Sequence, residues 1–261
     1  MKCKICDSVI AHVFDTAKVL EKYEVSYYQC GQCGFIQTEE PYWLAEAYSD
    51  AIGFRDIGLA GRNLIQMELT KTLIVLFFDQ ERQYLDYGGG YGLFVRLMRD
   101  RGYDFYLYEP NCENLFARTF DINLPTGMKF HVLTAFEVFE HLVDPLAEIE
   151  QMFKLSTNIF FSTTLLPKTA PRPSRWWYYG LEGGQHISIF SRRSLDYLAN
   201  RLGKYIYSDG HSYHLLTDKR ISSSFYMLAM RLKISRAINC FFRRPSLLSS
   251  DYMKVTGKPL E

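Results

Sequence analysis

The spacing of apolar and polar positions divides most of the chain into short buried strands that alternate with helices. Dense apolar runs at residues 83–87, 104–108, 129–136 and 158–163 predict strands. Apolar residues at helical spacing predict helices between them, over 59–78, from Leu93, and over 146–153 and 192–202. Strands that alternate with helices favour an α/β fold with a parallel sheet. Further on, a closing pair of strands is predicted at 205–207 and 213–216, followed by a helical stretch at 222–242.

A glycine-rich turn joins the first predicted strand to the helix that starts at Leu93. The turn reads Gly88-Gly89-Gly90-Tyr91-Gly92. Glycine can adopt positive φ and has no Cβ to hold a ligand away from the backbone. The second strand ends at Glu109, about 20 residues beyond the turn, where an acidic residue binds ribose hydroxyls in nucleotide-binding folds. The pattern therefore predicts a site for a cofactor that contains a nucleoside.

The glycine spacing decides which kind of cofactor is expected. A dinucleotide fingerprint would place glycine or alanine where Leu93 stands. Instead Gly88, Gly90 and Gly92, preceded by Asp86, resemble motif I of the class I S-adenosylmethionine-dependent methyltransferases. The runs E-V-F-E-H-L-V-D-P at 137–145 and H-I-S-I-F-S-R-R-S-L at 186–195 resemble signatures of small-molecule members of this family, in the expected order. The resemblance covers residues 1–215.

The resemblance implies a Rossmann-like sheet with helices on both faces and S-adenosylmethionine as cofactor. The cofactor-binding residues that it implies are Asp86, Gly88, Gly89, Gly90, Gly92, Glu109, Pro110, Asn111, Phe136 and Glu137. A helix is expected over 112–120. The segment after it, 121–127, is shorter than the third strand of the family, and Asp121 is the candidate for the adenine contact.

Two residues are candidates for catalysis. Methyl transfer to a hydroxyl or carbon acid needs a proton acceptor, and histidine titrates in the useful range. His186 follows two glycines and an aromatic run at 176–179, and the family resemblance also implies a base here; a histidine that caps the next segment is the alternative. Tyr48 is a candidate because the family resemblance makes residues 41–80 a helical lid over the cofactor; a packed aromatic is the alternative. Glu140 and His141 are interpreted as a hydrogen-bonded structural pair.

Four cysteines in two C-x-x-C pairs predict a structural zinc site. The ligands are Cys3, Cys6, Cys30 and Cys33, and four thiolates satisfy the tetrahedral preference of Zn²⁺. So short a segment needs the metal to fold, and its role is structural because four cysteines leave no open coordination position. Redox or disulfide pairs are the alternative.

These features predict a zinc-ribbon-like module at 1–40, the lid at 41–80, the methyltransferase domain at 81–245 and a loose tail at 246–261. The formal net charge is +1, so nucleic acid is not an expected partner. The longest apolar run, 73–78, is too short to span a membrane, and no signal-peptide region follows the N-terminus, so a cytoplasmic protein is expected. The expected substrate is a small molecule, such as a nucleotide-linked sugar or a glycan precursor. The alternatives are an RNA methyltransferase that reads RNA with its zinc knuckles and a non-catalytic binding protein.

Overall fold

The computed structural model describes residues 1–49, 56–125 and 127–260. The strands are β1 (Asp15–Val19), β2 (Tyr23–Gln29), β3 (Ile36–Thr38), β4 (Gln83–Tyr87), β5 (Asp104–Tyr108), β6 (Val132–Ala135), β7 (Asn158–Ser162), β8 (Ser188–Ile189), β9 (Tyr205–Ser208) and β10 (Tyr213–Thr217). The helices are α1 (Leu44–Ala47), α2 (Leu59–Phe77), α3 (Leu93–Arg99), α4 (Pro145–Phe153), α5 (Arg192–Leu202), α6 (Ser223–Ala229), α7 (Leu232–Phe241) and α8 (Leu248–Thr256). Residues 50–55 of the expected lid lie outside the described residues.

The larger sheet has the strand order β5-β4-β6-β7-β10-β9. Strands β4 to β7 are parallel to one another, and β10 runs antiparallel to both β7 and β9. The chain passes from β4 outward to β5 and then returns across β4 to β6. This reversal is the topological switch point at which open α/β sheets bind ligands.

Helices cover both faces of this sheet. On one face α2 and α3 pack through Leu73 and Phe94 against strand residues such as Phe105. On the other face α4 and α5 pack against the residues that point the opposite way, including Leu133. Every residue of β6 and β7 is buried as a result, which explains their continuous apolar runs. The predicted α/β class, with a Rossmann-like sheet and helices on both faces, is confirmed.

The segment after β5 differs from the prediction of a helix over 112–120. It forms bends and turns because the side chain of Asn114 bonds to Ala117, accepting from its N–H at 2.9 Å and donating to its carbonyl at 2.8 Å. Such local side-chain bonds compete with a helix. The family's third strand is reduced to one parallel bridge between Leu107 and Asp121.

The C-terminal region also differs from the prediction. The helical stretch at 222–242 is broken into α6 and α7 around Arg231, whose backbone is extended. The loose tail expected from residue 246 is wrong, because residues 248–256 form α8. Asp251 of this helix is buried and pairs with Arg99 at 2.7 Å.

The N-terminal residues form a second, antiparallel sheet with the order β1-β2-β3-β8. Its first three strands come from residues 15–38, but β8 lies 150 residues further along the chain and pairs with β3 through Ile36 and Ile189. The N-terminal module therefore shares a sheet with the segment that follows His186. Among the described residues, no helix is both long and apolar enough to cross a membrane.

Candidate active site

A cleft of about 1220 Å³ opens beside the carboxyl ends of β4, β5 and β6. One side is formed by the glycine turn and the residues that follow the strand ends, and the other by the loop from Pro173 to His186. Parallel strands bring these segments to one edge of the sheet. Of the residues predicted to bind cofactor or take part in catalysis, Gly92 and Asp121 do not line the cleft, and the others do.

The glycine turn has a backbone that other residues would not adopt without strain. Gly88, Gly90 and Gly92 have φ angles of 70°, 56° and 82°, in the region that favours glycine. A Cβ on Gly89 would lie 2.2 Å from the Asp86 carboxylate. Gly92, which immediately precedes α3, has a packing role, since a Cβ on it would lie 2.9 Å from the side chain of Asn114.

Glu109 lies against the glycine turn. Its carboxylate accepts hydrogen bonds from the backbone N–H of Gly90 at 2.9 Å and of Asn111 at 2.6 Å. These two bonds fix the carboxylate at the edge of the cleft. Each oxygen retains a lone pair, so the group can accept two further hydrogen bonds from a ligand with vicinal hydroxyls.

Asp86 lies under the turn and is fully buried. Thr134 donates a hydrogen bond to its Oδ1 at 2.6 Å. Burial raises the pKa of Asp86 to about 7, against the opposing effect of the Thr134 bond, and the nearby Glu109 raises it further. A cationic group above the turn would favour the ionised form of this carboxyl.

Glu137 has a strained backbone at the cleft wall, with φ of 55°. Residues held in this conformation are typical of functional sites. Ser162 at the end of β7 accepts from its N–H at 2.8 Å and donates to its carboxylate at 2.6 Å. Arg62 of α2 approaches the other carboxylate oxygen at 4.0 Å.

His186 lines the cleft, and one of its ring nitrogens is already hydrogen-bonded within the protein. Its Nδ1 lies 2.5 Å from the carbonyl oxygen of Tyr178, and a carbonyl only accepts, so Nδ1 carries the proton and Nε2 presents a lone pair. Burial lowers the pKa of His186, against the opposing effects of the Tyr178 carbonyl and of Glu137. The ring is therefore neutral and able to accept a proton.

The glycines before His186 are held in place. The Trp43 indole donates to the carbonyl of Gly184 at 2.8 Å, and the Gln185 side chain donates to the carbonyl of Ala47 at 2.8 Å. A Cβ on Gly184 would lie 2.8 Å from Val19. The loop that precedes His186 is therefore packed between β1 and the segment that contains α1.

Tyr48 directly follows α1 and lines the cleft. Its ring centroid lies 6.4 Å from that of His141. Burial raises the pKa of Tyr48 to about 12, and nearby carboxylates add to the shift. Tyr48 therefore keeps its proton at neutral pH and can donate a hydrogen bond.

Glu140 and His141 do not form the structural hydrogen-bonded pair that the sequence suggested. Neither oxygen of the buried Glu140 carboxylate has a partner of normal hydrogen-bond geometry, and His141 Nδ1 instead lies 3.2 Å from the carbonyl oxygen of Gln185. A tight turn over 139–141 directs both side chains towards His186. Burial raises the pKa of Glu140 to about 8, while burial and the adjacent His186 lower that of His141 to about 3.

Two other site residues differ from what sequence reasoning found. Asp121 does not line the cleft, and its carboxylate accepts from Asn114 at 3.2 Å, so the expected adenine contact is wrong for this residue. Arg62 lines the cleft but was not predicted. Arg62 belongs to α2, which the sequence predicted from its apolar positions alone. Its ion pair with Asp56 at 2.5 Å has no recognisable motif in the sequence.

The four N-terminal cysteines form one cluster. Their sulfurs lie within 4.8 Å of one another, with Cys3–Cys33 and Cys6–Cys30 each at 3.5 Å. Four sulfurs at about 2.3 Å from a tetrahedral ion would be about 3.8 Å apart, so the donor set fits Zn²⁺. The Cys33 N–H also points to the Cys30 sulfur at 3.5 Å, which helps to orient that ligand.

The comparisons with known proteins agree with this fold. A family model described as a methyltransferase domain matches residues 62–208, more than half of the chain. A search of curated proteins found no match.

Solved structures also resemble the chain. The plantazolicin methyltransferase BpumL, in complex with a monoazolic desmethylPZN analogue and SAH, is 11% identical with a TM-score of 0.50, and the match covers 75% of this chain and 87% of that one. CalO1, a methyltransferase in calicheamicin biosynthesis solved with SAH, is 12% identical with a TM-score of 0.47, over 68% and 60% of the two chains. Since the family model covers most of the sheet and motif I lies at its switch point, the chain belongs to the class I S-adenosylmethionine-dependent methyltransferases.

Proposed function

We propose that this protein transfers the methyl group of S-adenosylmethionine to a small-molecule acceptor. One observation carries the proposal. Glu109, which is fixed to the glycine turn, and the neutral His186 line one cleft of about 1220 Å³. A cofactor held at the turn would face an acceptor held at the histidine.

The cofactor would lie across the switch point. Its ribose hydroxyls would donate to the remaining lone pairs of Glu109. Its methionine end would lie over the turn, where its ammonium group favours ionised Asp86. Gly88, Gly89, Gly90, Pro110 and Asn111 would supply backbone contacts, and Phe136 and Glu137 would close the methyl side.

The chemistry would be an in-line displacement. The bond between sulfur and the methyl carbon breaks as the acceptor atom forms its bond to that carbon, and S-adenosylhomocysteine leaves. We propose that His186 Nε2 accepts the acceptor's proton. Tyr48, protonated and on the same cleft, would orient the acceptor by donating a hydrogen bond.

A nucleotide-linked sugar or glycan precursor suits the acceptor side. Trp176 and Trp177 line it, and Trp177 is 76% exposed, so aromatic faces are available for a sugar ring. Arg175 on the same loop could pair with phosphate, because its guanidinium matches phosphate geometry. The acceptor analogue in the similar BpumL complex supports the broader class of small molecules.

We also propose that Cys3, Cys6, Cys30 and Cys33 bind a structural Zn²⁺ ion. The sulfur distances and the hydrogen bond to Cys30 support this. Four thiol ligands leave no open position for substrate. Thiols that must stay reduced also support a cytoplasmic location.

Calorimetry with S-adenosylhomocysteine and a turnover assay with nucleotide-sugar acceptors test the proposal. We expect His186→Ala to bind S-adenosylhomocysteine as the wild type does and to lose at least 100-fold in turnover, because general-base catalysis contributes about 100- to 10,000-fold. The control is His211→Ala, which alters an exposed loop histidine and should be neutral. Unchanged turnover in His186→Ala would exclude the base.

One alternative has an observation in its favour. Loss of the third strand beside β5 removes a wall that could hold the adenine, which favours a non-catalytic protein that keeps the fold. No binding of S-adenosylhomocysteine at millimolar concentration would support that alternative and reject the enzyme.

A further inference from the structure

We propose that Glu140, His141 and His186 form a binding site for one divalent transition-metal ion, separate from the cysteine cluster. One carboxylate oxygen and one nitrogen from each ring lie within 4.8 Å of one another. Two imidazoles and one carboxylate are a donor set that iron, zinc, cobalt and manganese use in proteins.

The environment of the Glu140 carboxylate favours a bound cation. Its side chain is completely buried, and neither oxygen has a hydrogen-bond partner of normal geometry, although the hydroxyls of Tyr178 and Thr163 lie near enough to favour its charged form. Within the described residues, no lysine or arginine forms an ion pair with it. Burial without a compensating charge favours protonation of this carboxyl, and a bound cation would instead hold it in the ionised form.

In both histidines the hydrogen bond is made by Nδ1, so Nε2 is the nitrogen that a metal ion would use. His141 Nδ1 lies 3.2 Å from the carbonyl of Gln185, and His186 Nδ1 lies 2.5 Å from the carbonyl of Tyr178. Carbonyl oxygens only accept, so both Nδ1 atoms are protonated and both Nε2 atoms carry a lone pair. Metal-ligating histidines almost always have such a bond on the other nitrogen, which fixes the ring.

The three groups are close enough for one ion to draw them together. Ligands at about 2.0–2.2 Å from an ion lie about 3–3.5 Å apart, and the three ligand atoms lie within 4.8 Å of one another. The rings of His141 and His186 are perpendicular, with centroids 4.9 Å apart.

The ion would lie on the acceptor side of the cleft. His141 and His186 both line the cleft, and three protein ligands leave positions open for water or an acceptor oxygen. An oxygen bound there would lose its proton more readily because of the cation's charge. With the ion bound, His186 Nε2 is a ligand and not the base, so the proton would pass to water. This part rests on the proposed function; metal binding does not, since it can be measured without turnover.

Titration of the untagged, zinc-loaded protein with Mn²⁺ tests the site. Zinc occupies the cysteine cluster, so the six-line electron paramagnetic resonance signal of free Mn²⁺ reports the second site. We expect one Mn²⁺ bound per chain, and affinity at least tenfold weaker in both Glu140→Gln and His186→Ala. The control is His211→Ala, which should bind as the wild type does. Co²⁺ absorption in the visible range gives the same readout for a second ion.

Equal binding of Mn²⁺ and Co²⁺ by the wild type and the two ligand variants, or no binding at all, overturns the proposal. Calorimetry with S-adenosylhomocysteine on the same samples shows whether each variant is folded. It also separates the two proposals: no metal binding by the wild type together with intact cofactor binding rejects the metal site alone, and metal binding by the wild type without cofactor binding rejects the methyltransferase alone.

Discussion

At the scale of single residues, Glu109 shows how the protein prepares a site before the ligand arrives. Two backbone N–H groups hold the carboxylate at 2.9 and 2.6 Å. A carboxylate that is fixed in this way loses little freedom on binding, so its remaining lone pairs contribute more of their interaction to affinity.

We expect Glu109→Ala to weaken S-adenosylhomocysteine binding by about 10- to 100-fold, because hydrogen bonds to a charged group contribute about 1.5–3 kcal/mol. Calorimetry measures the dissociation constant. The matched control is Glu113→Ala, since that exposed side chain pairs with the exposed Arg118 at 3.2 Å. An affinity change below threefold in Glu109→Ala would show that the carboxylate does not bind the ribose.

Asp86 makes stability depend on pH in the cofactor-free protein. Its pKa rises from the ordinary 3.8 to about 7 on folding, so between these values the folded protein binds more protons than the unfolded chain. Stability therefore falls as pH rises from about 4 to 7. Asn cannot ionise, so Asp86→Asn does not lose stability in this way. The melting temperature of Asp86→Asn minus that of the wild type should therefore increase from pH 5 to pH 8.

Thermal melts of both proteins at several pH values measure this difference. Asp196→Asn, a change in an exposed ion pair with Arg192, serves as the control and should show no such trend. A difference between Asp86→Asn and the wild type that stays constant with pH would contradict a raised pKa.

The sequence predicted the cofactor side of the site better than the acceptor side. Gly88, Asp86 and Glu109 lie in one β-turn-α-β stretch, whose geometry follows from local spacing. His141 and Glu140, by contrast, meet His186 only because the fold brings together residues that are 45 positions apart in the chain. No local pattern reports such a contact, and the adjacent Glu-His therefore suggested a structural pair.

At the scale of elements, α8 also depends on long-range contacts that no local sequence pattern reports. Its sequence, L-S-S-D-Y-M-K-V-T, has little apolar spacing, so a loose tail was expected. Asp251 instead pairs with Arg99 through both carboxylate oxygens, at 2.7 and 2.9 Å, and with Arg96 at 2.9 Å. These partners lie 152 and 155 residues away in the sequence. Because the ion pair is buried, removing one partner would leave an uncompensated charge, whereas breaking an exposed pair costs little stability. Strands β4 and β5, by contrast, were predicted with the observed bounds because their apolar runs are local.

We expect Asp251→Ala to destabilise the protein by about 3 kcal/mol, because among the described residues it leaves buried Arg99 with Asp104 as its one remaining charged partner. Urea denaturation measures the free energy of unfolding. Asp196→Ala breaks an exposed pair and should cost less than about 1 kcal/mol. Equal effects of the two substitutions would mean that α8 does not pack on α3.

At the scale of the whole molecule, the cysteine module and the loop that carries His186 are joined in one sheet. Strand β8 begins two residues after His186 and pairs with β3 of the module. Ser191 at the start of α5 also donates to the carbonyl of Cys33 at 2.7 Å. Loss of the metal should therefore disturb the acceptor side more than the cofactor side, which is built on β4 and β5.

We expect Cys30→Ser to lower turnover at least tenfold while the dissociation constant for S-adenosylhomocysteine changes less than threefold. A ligand lost from a four-cysteine set weakens the metal that folds the module. Cys240→Ser, at an exposed position outside the cluster, is the control. Parallel loss of cofactor binding and turnover would show that the module supports the entire domain.

The pairing of β3 with β8 also sets an order of events during synthesis. The four cysteines leave the ribosome before the last strand of their sheet, which is made about 150 residues after β3. At about 5–20 residues per second this delay is on the order of ten seconds. The edge of β3 stays unpaired throughout that interval, so the nascent chain has an open strand edge to protect until residue 189 arrives.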